Sequence, residues 1–518
     1  MSKETSKKLL LILFSATLLI LAFPDFEFWF LAWISLVPFF WAIYETEKQK
    51  AFILGWIWGI LFFFGSCWWL THAPIYFGDV PVPIAYLLIF LASAIVGLFP
   101  ATFALCLSQM FNKFGIRAAL AAPFLWTASE FARFWISGNN WNAIAYSQAF
   151  KTNILQLASI GGIYLVGFLI VIFNAFLFLQ FKLVLERKVK QYDWILLALF
   201  LLIFFVVVSK SGYENSKNEE AGKVVVVQVN VPGRDLNIEK WTALREKHIK
   251  MAESAINSAI NSANLNSEDN TKSQERNLPI LVVFPESPMN FAYGSDPELQ
   301  EIFADFTRRN NVWLLFNSAE INKSKGNYFN SAIVINERGE KVGQYNKIFL
   351  VPFGEYAPVP EALQEMIPTI VGHFEKGYEY KIFSFGDLKF GIMICFESHF
   401  PNLSREFARM GADMLIEMTN DGYLGKTPVL RQHLANAVFR AVETGKPVIR
   451  ATNVGITAYI NEKGEILDQA ESYTEASKIW SVSKSANSQT FYVKYGDWLA
   501  IICVIFTFIS IGYGFSRT

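Results

Sequence analysis

Apolar positions change their spacing twice along this chain. From Met1 to about Val208 they form long runs broken by short polar stretches. From Ser209 to Val493 they come in short runs among charged and polar residues, and from Leu499 to Phe515 they are continuous again. A helix that crosses a bilayer needs roughly 20 mostly apolar residues. Eight stretches approach that length: 9–23, 27–44, 53–71, 83–106, 118–135, 158–181, 193–208 and 497–515. The pattern predicts an α-helical transmembrane bundle of about eight spans, built by 1–208 and completed by a last helix in 494–518, with an α/β domain at 209–493. The fifth stretch carries Glu130 and Arg133, three apart on one helix face and expected to pair, because charges in lipid are costly unless paired or facing a cavity. The first is expected to be an uncleaved anchor: no small-residue cleavage site precedes Pro24-Asp25, and further apolar stretches follow.

Short loops on the cytoplasmic side of a membrane are enriched in Lys and Arg. Here Lys3, Lys7 and Lys8, then Lys48 and Lys50, then Lys113 and Arg117, then Lys182, Arg187, Lys188 and Lys190 fall in alternate connections. Pro24 to Glu27 and His72 to Pro83 carry none. The expectation is that both chain ends are cytoplasmic and that 209–493 lies outside. Trp68, Trp69, Trp135 and Trp141 fall near the predicted outer ends, either as an interfacial belt or as lipid contacts.

Within 209–493, β-branched and aromatic runs at 223–231, 279–284, 312–316, 332–335, 389–395, 413–418 and 447–450 predict strands. Helical spacing covers about 240–262, 297–310, 401–411 and 429–445. Alternation of this kind predicts a layered α/β domain, with its chemistry just beyond strand ends. The Ser- and Asn-rich stretch 254–278 reads as a helix end and a solvated loop. The Pro- and Gly-containing stretch 351–380 is either a flap over a site or an ordinary connection.

Composition narrows the classes. Of 518 residues, 53% are hydrophobic and only 17% charged, against about 25% in soluble proteins, which excludes a disordered chain. Lys plus Arg and Asp plus Glu are both 45, so nothing suggests a nucleic-acid partner. The five histidines have no metal-ligand spacing, and no metal or other cofactor is expected. A phosphate-loop reading of Gly425-Lys426-Thr427 fails because Asn420 stands where Gly is required.

Three reactive side chains end or follow predicted strands: Glu286, Lys347 and Cys395. Each has an ordinary reading: a capping carboxylate, a surface charge, a buried thiol. Together they offer a base for the thiol proton, a cation for a thiolate or an oxyanion, and a soft nucleophile, with the Phe396 N–H as a further oxyanion donor.

The stretches Phe284-Pro-Glu286, Tyr345-Asn-Lys347, Pro352-Phe-Gly-Glu355-Tyr356 and Cys395-Phe-Glu397 resemble the Glu-Lys-Cys pattern of the nitrilase superfamily. With Val227 to Asn230, Asn420 to Gly425, Arg431-Gln-His433, Arg450 to Gly455 and the apolar stretches, they are similar, in order and over nearly the whole chain, to the apolipoprotein N-acyltransferase family. That resemblance implies a nitrilase-like αββα sandwich on a membrane bundle, in a bacterial inner membrane with the catalytic domain on the periplasmic side. It implies Glu286 as general base, Lys347 as oxyanion stabiliser and Cys395 as nucleophile, Glu355 and Glu397 as supporting carboxylates, and Trp241 as a lipid or substrate contact. Phe396 stands where the family often has Tyr, and Ile348-Phe349 replaces a more polar pair, which bears on substrate contacts. The implied reaction moves an acyl chain from a phospholipid, through a Cys395 thioester, to the α-amine of the lipidated N-terminal cysteine of an apolipoprotein, with the enzyme as a monomer. A transporter would not use the Glu-Lys-Cys set, a binding or sensor domain would not need Cys395, and a membrane-bound amidase would need no phospholipid.

Overall fold

The structure is a computed structural model that describes residues 2–24, 26–188, 190, 194, 198, 219–231, 238–265, 278–286, 291–322, 326–359, 369, 371–485 and 488–515. Its chain forms two compact units, one of residues 1–214 and 490–518, the other of 215–489.

The first unit is helical. Lys3–Ala22, Lys48–Phe77, Val82–Phe114 and Ala158–Leu185 are long and apolar enough to cross a membrane, and Trp29–Ile43 and Trp498–Gly512 are shorter apolar helices. The expected run 118–135 becomes a 3₁₀ turn, Ile116–Ala121, followed by the helix Ala122–Ser137. The expected run 193–208 lies outside the described residues, apart from Trp194 and Ala198. Glu130, expected to pair with Arg133, also accepts from Ile144 N at 2.9 Å, while Arg133 donates to Trp141 O at 2.8 Å and to Asn140 Oδ1 at 2.7 Å. The chain after the helix turns back over it, so two backbone groups and the Asn140 amide add partners for both charges.

Two details explain how this unit packs. Gly55 and Gly59 let the helix Lys48–Cys67 press against Leu98–Phe114: a Cβ on Gly55 would lie 2.6 Å from Ala104 Cβ and Pro100 O, and one on Gly59 2.6 Å from Gly97 Cα. This is the small-residue spacing that lets helices approach in lipid. In Ala32–Ile43, Leu36 N donates to Asn174 Oδ1 at 2.8 Å and Asn174 Nδ2 donates to Ala32 O at 3.0 Å. An amide from Ala158–Leu185 thus stands between two backbone groups four residues apart, stitching the helices together.

The second unit contains two sheets. The first joins β1 (Glu220–Gln228), β2 (Ile280–Val283), β3 (Trp313–Ile321), β4 (Tyr328–Ile335), β5 (Lys341–Asn346) and β13 (Ala476–Ser483) in the order β13-β1-β2-β3-β4-β5, with β6 (Phe374–Glu375) beside β4. The second joins β7 (Ile382–Phe385), β8 (Leu388–Ile394), β9 (Met414–Thr419), β10 (Val448–Thr452), β11 (Ala458–Ile460) and β12 (Ile466–Leu467) in the order β12-β11-β10-β9-β8-β7. Each has a parallel centre, β1-β2-β3 and β8-β9-β10, flanked by antiparallel strands. The parallel strands read as continuous apolar runs because they are buried on both faces. Val225, Val227, Val282, Phe284 and Phe316 form one core with Ala252 and Ile256 of the helix Ile238–Leu265 and with Phe303 and Phe306 of Pro297–Asn310. Full burial of such side chains stabilises by about 1.5–3 kcal/mol each. Pro401–Arg409 and Val429–Thr444 pack on the second sheet. Where β1 meets β10, Thr452 Oγ1 donates to Gln228 Oε1 at 3.0 Å and Asn453 Nδ2 to Val231 O at 2.9 Å. The unit is therefore a helix–sheet–sheet–helix sandwich. Its outer antiparallel strands β5, β7, β11, β12 and β13 escape the sequence pattern because they are short or largely polar.

Candidate active site

Each proposed reactive residue follows a strand. Glu286 comes three residues after β2, Lys347 immediately after β5, and Cys395 immediately after β8. Cys395 was expected to be the last residue of its strand. Instead β8 stops at Ile394 and Cys395 opens a 3₁₀ turn, Cys395–His399, at φ +54°. A side chain other than glycine pays a steric penalty in that left-handed region, and such strain collects at functional turns.

Lys347 Nζ donates to Glu355 Oε1 at 2.9 Å and lies 3.6 Å from Glu286 Oε1. Asn330, in the middle of β4, reaches both carboxylates: its Nδ2 donates to Glu286 Oε1 at 2.9 Å and to Glu355 Oε1 at 2.7 Å. Asn330 Oδ1 accepts from Asn317 Nδ2 at 2.7 Å, which fixes the amide's direction. The other oxygen of Glu286 accepts from Asn420 N at 3.1 Å, and that of Glu355 from Val351 N at 2.8 Å. Lys347 is 1% exposed, so its charge depends on these carboxylates.

Glu397 plays a different part. Its Oε1 accepts from Tyr345 Oη at 2.8 Å, Ile348 N at 2.6 Å and Phe349 N at 3.2 Å, and its Oε2 from Ile394 N at 2.8 Å. One carboxylate thus clamps the backbone that follows Lys347 to the backbone that precedes Cys395. Phe396 stacks on His399 at 5.6 Å between ring centres and meets Phe400 edge-on at 5.2 Å, while Phe349 lies face-on to Phe400 at 3.9 Å. The two departures from the family pattern, Phe396 and Phe349, therefore form one apolar wall. Trp241, on the first turn of Ile238–Leu265, is exposed and has no described hydrogen bond or ring contact with this cluster. Of the stretch 351–380, residues 360–368 and 370 lie outside the described residues. Its described parts are tied down by Glu355 N to Val351 O at 2.8 Å and Phe374 N to Glu355 O at 2.8 Å.

Burial sets the protonation pattern. It raises the Glu286 carboxyl; Lys347 opposes the rise and Glu355 adds to it. Burial also pushes the Cys395 thiol well up, with Glu286 adding and Lys347 opposing. For Lys347 burial opposes the charge, but Glu355, Glu286 and Cys395 outweigh it and hold the ammonium above its ordinary range. Burial lifts Glu397 to about 7 against the lowering effect of its N–H donors. The resting centre is a neutral thiol beside a carboxylate of raised basicity and a fixed cation, which suits proton removal at the moment of attack. Among the described residues no cluster of His, Cys, Asp and Glu is placed to hold a metal ion.

Sequence reasoning missed Asn330 and Glu417, and quoted the stretches that hold Asp421, His433 and Arg450 only as motifs, without the ionic group they form with Glu417 behind Cys395. Glu417 and Arg450 sit in otherwise apolar strands, and a charge in a buried strand demands a partner. That signal was available in Met414–Thr419 and Val448–Thr452.

Family models match at both ends of the chain: an apolipoprotein N-acyltransferase N-terminal domain over residues 15–176, and a carbon-nitrogen hydrolase domain over 236–485. Similar full-length proteins include the apolipoprotein N-acyltransferases of Geobacter metallireducens, 29% identical over 98% of this chain and 95% of that protein, and of Pasteurella multocida, 27% identical over 96% and 94%. This chain is similar to apolipoprotein N-acyltransferases over nearly its whole length. That similarity matches the pairing of an apolar helical unit with a helix–sheet–sheet–helix sandwich in one polypeptide, and the protein is an acyltransferase. Among solved structures, an amidase from Nesterenkonia sp. is 15% identical with a TM-score of 0.37, covering 55% of this chain and 96% of the amidase.

Proposed function

We propose that the protein transfers an acyl chain from a membrane phospholipid, through a thioester on Cys395, to the α-amine of the lipidated N-terminal cysteine of an apolipoprotein. The observation that best supports this is the Lys347 ammonium held at 2.9 Å from Glu355 and 3.6 Å from Glu286, clamped by Glu397 to the strained turn that carries Cys395. Glu286 takes the thiol proton as the sulfur attacks the ester carbonyl. The tetrahedral oxyanion is stabilised by Lys347 and the Phe396 N–H. Collapse breaks the ester C–O bond; the lysophospholipid oxygen takes the proton from Glu286 and leaves. The acceptor amine then attacks the thioester and gives its proton to Glu286. Collapse breaks the C–S bond, leaving an amide and a thiolate that recovers the proton from Glu286. Splitting an ester-to-amide exchange into two transfers lowers each barrier.

In this reading Glu286, Lys347 and Cys395 are catalytic, Glu355, Glu397 and Asn330 position them, and Trp241 contacts substrate. The protein is a multi-pass bacterial inner-membrane monomer, with residues 1–208 and 494–518 in the bilayer and 209–493 on the periplasmic side. The test is intact-protein mass spectrometry of detergent-purified enzyme incubated with phospholipid, beside Cys395→Ala. A fatty-acyl increment that hydroxylamine removes and the variant lacks is the expected result. A folded wild type that stays unmodified while releasing acid from small amides would replace this reading with an amidase.

A further inference from the structure

Behind the nucleophile lies a buried ionic quartet that the proposed chemistry does not use. Arg450 pairs with Glu417 at 2.5 Å and with Asp421 at 2.8 Å. His433, on Val429–Thr444, has Nδ1 at 2.7 Å from Asp421 Oδ1. Its Nε2 lies 3.2 Å from the carbonyl oxygen of Cys395, 3.1 Å from Ser398 Oγ and 3.2 Å from Glu417 Oε1. All four charged side chains are at most 3% exposed.

The partners fix the state of the imidazole. An ionised Asp421 can only accept, so Nδ1 carries a proton; the Cys395 carbonyl and Glu417 can only accept, and the Ser398 hydroxyl donates to that same carbonyl at 3.3 Å, so Nε2 carries one as well. The charges agree: Glu417 and Asp421 against Arg450 alone would leave one buried negative charge, and an imidazolium brings the quartet to neutrality. The other ionic pair on this helix, Arg440 with Glu443 at 2.8 Å, balances itself, and Arg440 donates to the carbonyls of Ser398 and His399 in the same turn.

We propose that His433 is a positioning residue for the nucleophile: as an imidazolium it bridges Asp421 to the backbone carbonyl of Cys395, holding the left-handed turn and cancelling the carboxylate that would otherwise face the forming thiolate. The inference rests on Cys395 being the nucleophile. Burial opposes the charge on His433 and Arg450 repels it, but Asp421 and Glu417 outweigh both and lift the imidazole to about 9, while Asp421 is itself among the groups that raise the Cys395 thiol.

The test is the pH dependence of Cys395 alkylation by iodoacetamide, read by intact mass on the full-length detergent-solubilised enzyme, with Cys395→Ala to subtract the other thiols. His433→Gln removes the cation and should move the alkylation midpoint upward by about one pH unit, a tenfold loss of thiolate at neutral pH. Asp421→Asn combined with His433→Gln restores neutrality with Glu417 and Arg450, and should bring the midpoint back toward the wild-type value. A purely structural histidine would instead make the double variant as poor as the single one or worse. A folded His433→Gln protein with an unmoved midpoint overturns the proposal. If the single variant does not fold, the double variant decides: folding with a near-wild-type midpoint supports charge balance, and failure to fold overturns it. Acyl-adduct formation with phospholipid vesicles is recorded on the same samples. Adducts without a midpoint shift would defeat this inference alone, and a midpoint shift without adducts in the wild type would defeat the acyl-transfer reading alone.

Discussion

Replacing Glu397 by Gln changes one oxygen to an amino group and leaves the size almost unchanged. In the native site both oxygens face donors: three on Oε1, from Tyr345, Ile348 and Phe349, and one on Oε2, from Ile394. Glutamine has one accepting oxygen, and its least costly orientation keeps that oxygen on the group of three. The amide N–H₂ then faces Ile394 N–H, so one buried backbone donor loses its partner and the other bonds lose the charge that the carboxylate carries above about pH 7. An unpaired buried donor costs about 1–3 kcal/mol and a charge-assisted bond exceeds a neutral one by about 1 kcal/mol, which together gives about 3 kcal/mol. That loss corresponds to a fall of about 6–12 °C in melting temperature for a unit of this size. Because the clamp joins the segments carrying Lys347 and Cys395, relief of the strain by a shift near 1 Å should slow acyl-enzyme formation by about 10²-fold. Tryptophan-fluorescence melting and quenched mass spectrometry with phospholipid measure the two effects. A Glu397→Gln enzyme that melts and acylates like the wild type would refute the clamp, whatever the status of the nucleophile.

Three further outcomes follow from the same geometry. Asn330→Asp sets a third carboxylate against Glu286 and Glu355, so the acid limb of the acyl-enzyme rate should move to higher pH by about one unit or more; an unchanged limb in stopped mass-spectrometric time courses counts against Asn330 as their shared donor. The folded-state pKa of His433, about 9, is raised above the ordinary 6.5, so the stability it adds is complete below the ordinary value and lost as pH rises through about 9. The melting gap between wild type and His433→Gln, about 3 kcal/mol at neutral pH, should therefore close in strongly alkaline buffer, and a gap independent of pH contradicts the imidazolium. In the helical unit, Gly59→Val places carbon at a point 2.6 Å from Gly97 Cα, and overpacking of that kind costs about 1–3 kcal/mol, readable as a lower melting temperature in detergent.

The sequence made some of this legible and hid the rest for identifiable reasons. Val224–Val227 and Leu281–Phe284 announce themselves because a parallel strand buried on both faces needs apolar residues at every position. β5, Lys341–Asn346, does not, because an edge strand tolerates Lys, Gln and Asn. Glu286, Lys347 and Cys395 stand out because they interrupt strand ends with reactive groups. Asn330 does not, because inside β4 it reads as an ordinary polar position and acquires its role only when β3 and β5 bring Asn317 and Lys347 beside it. The left-handed turn at Cys395 was equally silent, since the residue is not glycine and the strand pattern runs straight into it. For Glu130, spacing on one helix pointed to Arg133, and it gave no sign of the further partner, a backbone N–H fourteen residues on.

The Glu397 clamp has a consequence for how such an enzyme can change. Two of its four donors are the main-chain N–H groups of Ile348 and Phe349, which any residue except proline supplies. The clamp therefore holds positions 348 and 349 without regard to their side chains. Phe349 lies on Phe400 as part of the wall that Phe396 continues from Cys395, yet replacing it leaves the backbone bond to Glu397 available. Reacting geometry and lining are separately adjustable: variants at 349 can be selected for a different substrate fit while Lys347 and Cys395 stay in register.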